Sequence, residues 1–89
     1  MSPKEEQEMF MNRLNAGRMH GKVDFTSIDT NNTNGNTYIE VTTTGPEKAE
    51  KIKQFCEDKA LQNLSHIAFD GFVNPSTSER HVTFRVNQN

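Results

Sequence analysis

The strongest constraint on this chain is the alternation of apolar and polar residues in its last third. Ile67, Phe69, Gly71 and Val73 fall on one side of a first extended stretch, and Val82, Phe84 and Val86 fall on one side of a second. A period of two belongs to half-buried strands, so both stretches need an apolar layer against the same side. Such a layer lies directly upstream. Between Pro46 and Leu64 the residues Ala49, Ile52, Phe55 and Cys56 recur at spacings of three and four, and Leu61 and Leu64 continue the stripe. That spacing predicts an amphipathic helix, opened by a capping pattern at Thr44-Gly45-Pro46-Glu47. On its exposed side Glu47 with Lys51, and Glu50 with Lys53, are expected to pair weakly.

The first half repeats the order. Ser2, Pro3 and Glu5 form a helix start: a serine cap, a proline in the first turn, and a glutamate three residues after the cap that can bond back to it. Met9, Phe10, Met11 and Leu14 give a ragged apolar stripe, and Gly17 is the expected stop. From Val23 to Thr44 β-branched and aromatic residues dominate on either side of a polar run centred on Asn34-Gly35, a strong two-residue hairpin turn. Centred there, the ladder sets Thr33 opposite Asn36, Ile28 opposite Val41, and Asp29 opposite Glu40. Facing acids are unfavourable. Val23 and Phe25 have the opposite parity to Ile28, which predicts a bulge near Thr26 or Ser27. The second hairpin connects through Asn74-Pro75-Ser76-Thr77-Ser78, all turn formers. Matching its inward sides pairs Val73 with Val82, Gly71 with Phe84, and Asp70 with Arg85. In that pairing Gly71 makes room for the Phe84 ring.

The expected fold is therefore α+β, a helix-hairpin-helix-hairpin (α-β-β-α-β-β) with a four-stranded antiparallel sheet and helices over one face. It forms a single domain, 1–89, with an N-terminal helix and loop in 1–20, a hairpin in 22–44, a helix in 45–64 and a hairpin in 66–87. Hydrophobic residues make up 31% of the 89 positions, so the core is small or is completed by a partner. Ten basic residues against twelve acidic ones leave a net charge of -2, which gives no global attraction to a polyanion. Cys56 is the single cysteine, so neither an internal disulfide nor a multi-cysteine zinc site is available. No run approaches the roughly 20 apolar residues of a membrane span, and the first residues lack a signal-peptide pattern. A cytoplasmic protein without a cofactor is expected.

Few residues suggest chemistry. His20, His66 and His81 are not at helical metal-binding spacing, and a site of His66, Asp70 and His81 needs three separated side chains to converge. Asp29, Asn31, Thr33, Thr37 and Glu40 match several positions of a calcium loop, but both flanks are β-prone and the glycine falls one place late. A hairpin turn accounts for them better. Cys56 lies on the apolar stripe, where packing rather than nucleophilic attack is expected. No Gly-x-Ser-x-Gly elbow and no glycine-rich phosphate loop occurs. No catalytic residue and no metal ligand is assigned.

Two surfaces remain. Arg13, Arg18, His20 and Lys22 cluster at the end of the first helix, where arginines ordinarily offset the helix dipole. With Arg80, the residues Arg13, Arg18 and Lys22 are candidates for holding an anion, and Arg85 would join them in a nucleic-acid or nucleotide binder. Phe72 has outward parity in its strand, as has Tyr38 in the first hairpin, and an aromatic on the open side of a sheet calls for a cover. With Arg85 and Thr83 they make a candidate partner-binding face. By elimination the sequence reads as a small non-enzymatic interaction module, of the kind found as accessory or inhibitor proteins of phages and mobile elements, which binds and occludes another protein. The alternatives are an anionic-ligand or nucleic-acid binder and a structural homodimer.

Overall fold

The computed structural model describes residues 1–73 and 79–88, with Ala60 and Glu79 by backbone alone. The class is α+β. Elements follow one another as α1 (Pro3–Met19), β1 (Ser27–Thr33), β2 (Asn36–Thr44), α2 (Pro46–Phe55), a π-helical turn (Cys56–Ala60), β3 (Ile67–Val73) and β4 (Glu79–Val86). The four strands form one antiparallel sheet in the order β1-β2-β4-β3. β2 and β4 are thus central.

α1 starts as its residues dictate. Glu5 N donates to Ser2 Oγ at 3.2 Å and Ser2 N donates to Glu5 Oε1 at 3.0 Å, a reciprocal cap that satisfies two otherwise orphaned donors. These bonds from Ser2 hold the Glu5 carboxyl below the ordinary carboxylate pKa. The helix ends later than Gly17. Gly21, with φ of 73°, takes the left-handed position after the last turn, while Gly21 N donates to Arg18 O and Lys22 N to Gly17 O. That pair of bonds is a Schellman ending. Gly17 stays inside the helix, buried.

α2 departs from the single long helix expected over 46–64. Its cap is Gly45, with no side-chain bond, and Thr44 Oγ1 instead accepts from Lys48 Nζ at 3.4 Å. At Cys56 the helix widens into a π turn closed by Leu61 N on Cys56 O. One inserted residue shifts the apolar stripe round the axis. Cys56 and Leu64 are buried and Leu61 packs against the same cluster. Burial and the neighbouring Glu57 charge both push the Cys56 thiol pKa up. The expected pairs of Glu47 with Lys51 and Glu50 with Lys53 do not form. Lys53 reaches Glu57 at 3.7 Å, and its ammonium lies 5.1 Å from the centre of the Phe69 ring.

The first hairpin has the expected turn and register. Asn34 and Gly35 have φ of 54° and 81°, and the ladder pairs Thr33 with Asn36, Ile28 with Val41 and Asp29 with Glu40. The bulge expected near Thr26 is absent from that ladder, because the strand begins only at Ser27. Val23 and Phe25 precede it and are both buried.

The second hairpin corrects the expected register. β3 pairs Ile67 with Val86, Ala68 with Arg85 and Phe69 with Phe84, then slips at Asp70, after which Gly71 faces Thr83, Phe72 faces Val82 and Val73 faces His81. The slip is a bulge. Thr83 Oγ1 donates to Gly71 O at 2.9 Å, fastening the irregular stretch to its neighbour. Gly71 has φ of 153°, and a Cβ added there would meet nothing within 4 Å. Backbone conformation, not space for the Phe84 ring, therefore explains the glycine. The connection through 74–78 lies outside the described residues.

The core unites Phe10 and Leu14 of α1, Ala49 and Ile52 of α2, Cys56, and the strand residues Ile39, Val41, Val82, Phe84, Val86 and Ile67. Phe84 is at its centre, with the Phe10 ring 4.8 Å away and the Phe69 ring 5.8 Å away, both edge-on. Among the described residues one charged side chain, Glu6, is built into this layer. Glu6 accepts from His66 N at 3.0 Å and from Ser65 Oγ at 3.5 Å, and its Oε2 lies 3.4 Å from His66 Nε2, so α1 is tied to the start of β3.

Candidate functional site

The bulge decides which surface has an anchor. By facing Val82, Phe72 turns to the same side of the sheet as the core, where it stacks edge-on with Phe69 at 5.2 Å and lines a small hollow of about 130 Å³ with Pro46, Ala49, Glu50 and Arg80. It does not share a side with Tyr38. The expected face of Phe72, Tyr38, Arg85 and Thr83 is thereby divided, since Tyr38 faces Arg85 across β2 and β4 on the opposite side. Thr83 is buried and its hydroxyl is used on Gly71. Val73, expected to point inward, faces His81 and is 51% exposed.

The histidine candidates are dispersed. His66 Nδ1 lies 3.2 Å from Asn87 O, and its other nitrogen faces Glu6. His81 Nδ1 and Thr42 Oγ1 hydrogen-bond each other at 3.0 Å. Asp70 is the bulged residue. Among the described residues no three His, Cys, Asp or Glu side chains gather as a metal-binding group. The calcium-loop pattern folds as the β1–β2 turn, where Asn32 Oδ1 accepts from Thr37 Oγ1 at 2.8 Å.

The basic cluster is different, because the fold enlarges it. After the Schellman ending the chain is pinned to the end of β2 by Thr43 Oγ1 donating to Asp24 O at 2.8 Å and by Thr26 N donating to Thr42 O at 2.7 Å, with Val23 and Phe25 buried. This course carries Lys22 alongside the first turns of α2. A hollow of about 410 Å³ opens there between Arg18, Gly21, Lys22, Val23, Asp24, Lys48 and Lys51. A second of about 430 Å³ adjoins it through Lys22, lined also by Arg13, Ala16, Gly17, His20, Phe55 and Lys59.

Six of the chain's ten lysines and arginines (Arg13, Arg18, Lys22, Lys48, Lys51 and Lys59) line these two hollows. Asp24 is the one acid lining them among the described residues. It is held by Lys48 at 2.8 Å, and that partner lowers its pKa. Arg18 lies over the Phe25 ring at 4.9 Å, and Arg13 Nη1 donates to Lys59 O at 3.3 Å. Among the described residues Lys22 and Lys51 make no ion pair within 4.0 Å. Toward the N-terminus the next hollow along α1 is lined by Glu5 and Glu8, which bounds the basic region.

Of the four expected anion-holding residues, Arg13, Arg18 and Lys22 thus come together while Arg80 lies with Phe72. Sequence reasoning missed Lys48, Lys51 and Lys59. On α2 and the π-helical turn they read as an ordinary solvated face; only side-by-side placement of the α1 ending and these turns makes them one surface, and no local pattern encodes that. No helix among the described residues is long and apolar enough to cross a membrane. Compared with family models, with curated proteins and with solved structures, the chain matches none.

Proposed function

We propose that this chain is a small non-enzymatic protein-binding module that docks its basic end on an acidic surface of another protein and acts by covering it. The single observation behind this reading is the segregation of charge: a net-acidic chain keeps six of its ten cations around two adjoining hollows, with one acid among them. Complementary charge of that kind steers encounter and selects partners. The reading includes the arrangement expected from the sequence, with both helices over one side of the sheet. In its favour, the Phe10 ring of α1 lies 4.8 Å from Phe84, and Ala49 and Ile52 of α2 belong to the same buried cluster. The helix surface then carries the docking site, and the open side of the sheet, having no Phe72, does not.

The test uses poly-L-glutamate and an oligothymidylate as probes. Poly-L-glutamate should bind at 50 mM salt and weaken as salt rises, since exposed charges are screened over about 8 Å at physiological ionic strength. The double variant Lys22→Glu/Lys51→Glu alters two exposed side chains and should lower that affinity on the order of tenfold with an unchanged circular dichroism spectrum. If the double variant binds as the native chain does, or if the oligothymidylate alone binds, the acidic-protein reading is wrong.

A further inference from the structure

The two basic hollows differ in their floors. The one beside Lys48 and Lys51 has no aromatic ring in its lining, only Gly21 and Val23 among charged side chains. The one over Gly17 has an apolar base of Ala16, Gly17 and the half-buried Phe55 ring beneath a basic rim that includes Lys22 and Lys59. Gly17 is what shapes it. A Cβ at that position would lie 2.7 Å from Phe55 Cζ and 2.9 Å from Cε1, so the ring rests on bare helix backbone and a methyl group would drive it into the hollow. A phenyl ring exposed in part, on a floor without polar side chains and inside a ring of cations, is suited to a ligand that is apolar at one point and anionic around it.

We infer that this hollow seats one apolar side chain of an acidic peptide segment, aromatic or branched aliphatic, while its flanking carboxylates lie against Lys22 and the cations of the adjoining hollow. The inference rests on the proposed function and names the chemistry of the partner. A peptide fits better than a nucleotide. A base could stack on Phe55, but the edge hydrogen bonds that select bases would have to come from the surrounding Arg13, His20, Lys22 and Lys59 and not from Ala16, Gly17 or Phe55. An anchor entering an apolar pocket inside a polar rim is also how protein interfaces concentrate their affinity.

Two capped pentapeptides test this, one with phenylalanine between two pairs of aspartates and one with alanine at the centre, titrated into the full chain by calorimetry and by NMR. The phenylalanine peptide should bind about tenfold tighter or more, as burial of an aromatic side chain implies, and should shift the Phe55 ring and Gly17 amide resonances. Gly17→Ala should erase the difference between the peptides while leaving their salt dependence. Ala16→Glu, at an exposed position beside Gly17, puts an acid at the seat without touching the core and should reject the phenylalanine peptide. Equal affinity of the two peptides, both salt-sensitive, would overturn the apolar seat and leave the acidic-partner reading standing. Failure of both peptides and of poly-L-glutamate would overturn that reading as well. Displacement of the phenylalanine peptide from Phe55 by an oligothymidylate of the same charge at lower concentration would replace the peptide with a nucleic acid.

Discussion

The two hairpins of the sheet obey different rules. β1 and β2 turn through Asn34 and Gly35, and their ladder runs unbroken from Thr33–Asn36 to Ser27–Thr42. β3 and β4 are joined by a longer connection, and their ladder slips by one residue at Asp70. A tight turn leaves the strands a single pairing, whereas a long one leaves the choice to side chains and backbone along the ladder. In the second hairpin Ile67 and Phe69 take the inward side with Val86 and Phe84, and Gly71 then supplies a conformation that lets the chain skip a residue. Every side chain beyond the slip changes side. That is how Phe72 leaves the open face of the sheet and Val73 arrives there.

Substitutions in each hairpin sharpen the contrast. The larger effect belongs to the second. Gly71→Ala forces a side-chain-bearing residue into backbone angles that it rarely adopts, although the space around it is open. We expect a loss of about 1 to 3 kcal/mol, measured by urea unfolding. A change smaller than about 0.5 kcal/mol, within the range of ordinary surface substitutions, would show that the bulge does not depend on this glycine. The smaller effect belongs to the first hairpin, where the turn imposes a register that sets Asp29 against Glu40. Asp29→Lys turns facing acids into an opposite-charge pair and should stabilise by about 0.2 to 1 kcal/mol, with the gain fading in high salt. No gain at low salt would mean that the two side chains do not face each other in solution.

Much of the fold was legible because the signals were local. The Ser2–Glu5 cap, the Asn34–Gly35 turn and the three-and-four spacing of Ala49, Ile52 and Cys56 each lie within a few residues, and each appears where expected. The end of α1 was misplaced at Gly17 because a glycine suggests a stop. Its absent side chain instead makes room for Phe55, 38 positions away in the chain, and the positive-φ glycine that ends the helix is Gly21. The π turn at Cys56 and the bulge at Asp70 each shift the phase of the chain by one residue, which a regular period of apolar residues does not announce. The site was legible only in part. Arg13, Arg18 and Lys22 are close in sequence and could be grouped, whereas Lys48, Lys51 and Lys59 join them through packing of the α1 ending beside α2. The apolar floor at Phe55 depends on the same packing.

Whether the open side of the sheet rivals the basic end as the proposed docking surface turns on the slip at Asp70. Cross-strand proton contacts between β3 and β4, measured by NMR on the native chain, test it directly. The account predicts contacts of Phe72 with Val82 and of Val73 with His81. Contacts of Val73 with Val82 and of Gly71 with Phe84 would contradict it, returning Phe72 to the open side of the sheet beside Tyr38 as a rival to the proposed basic docking end.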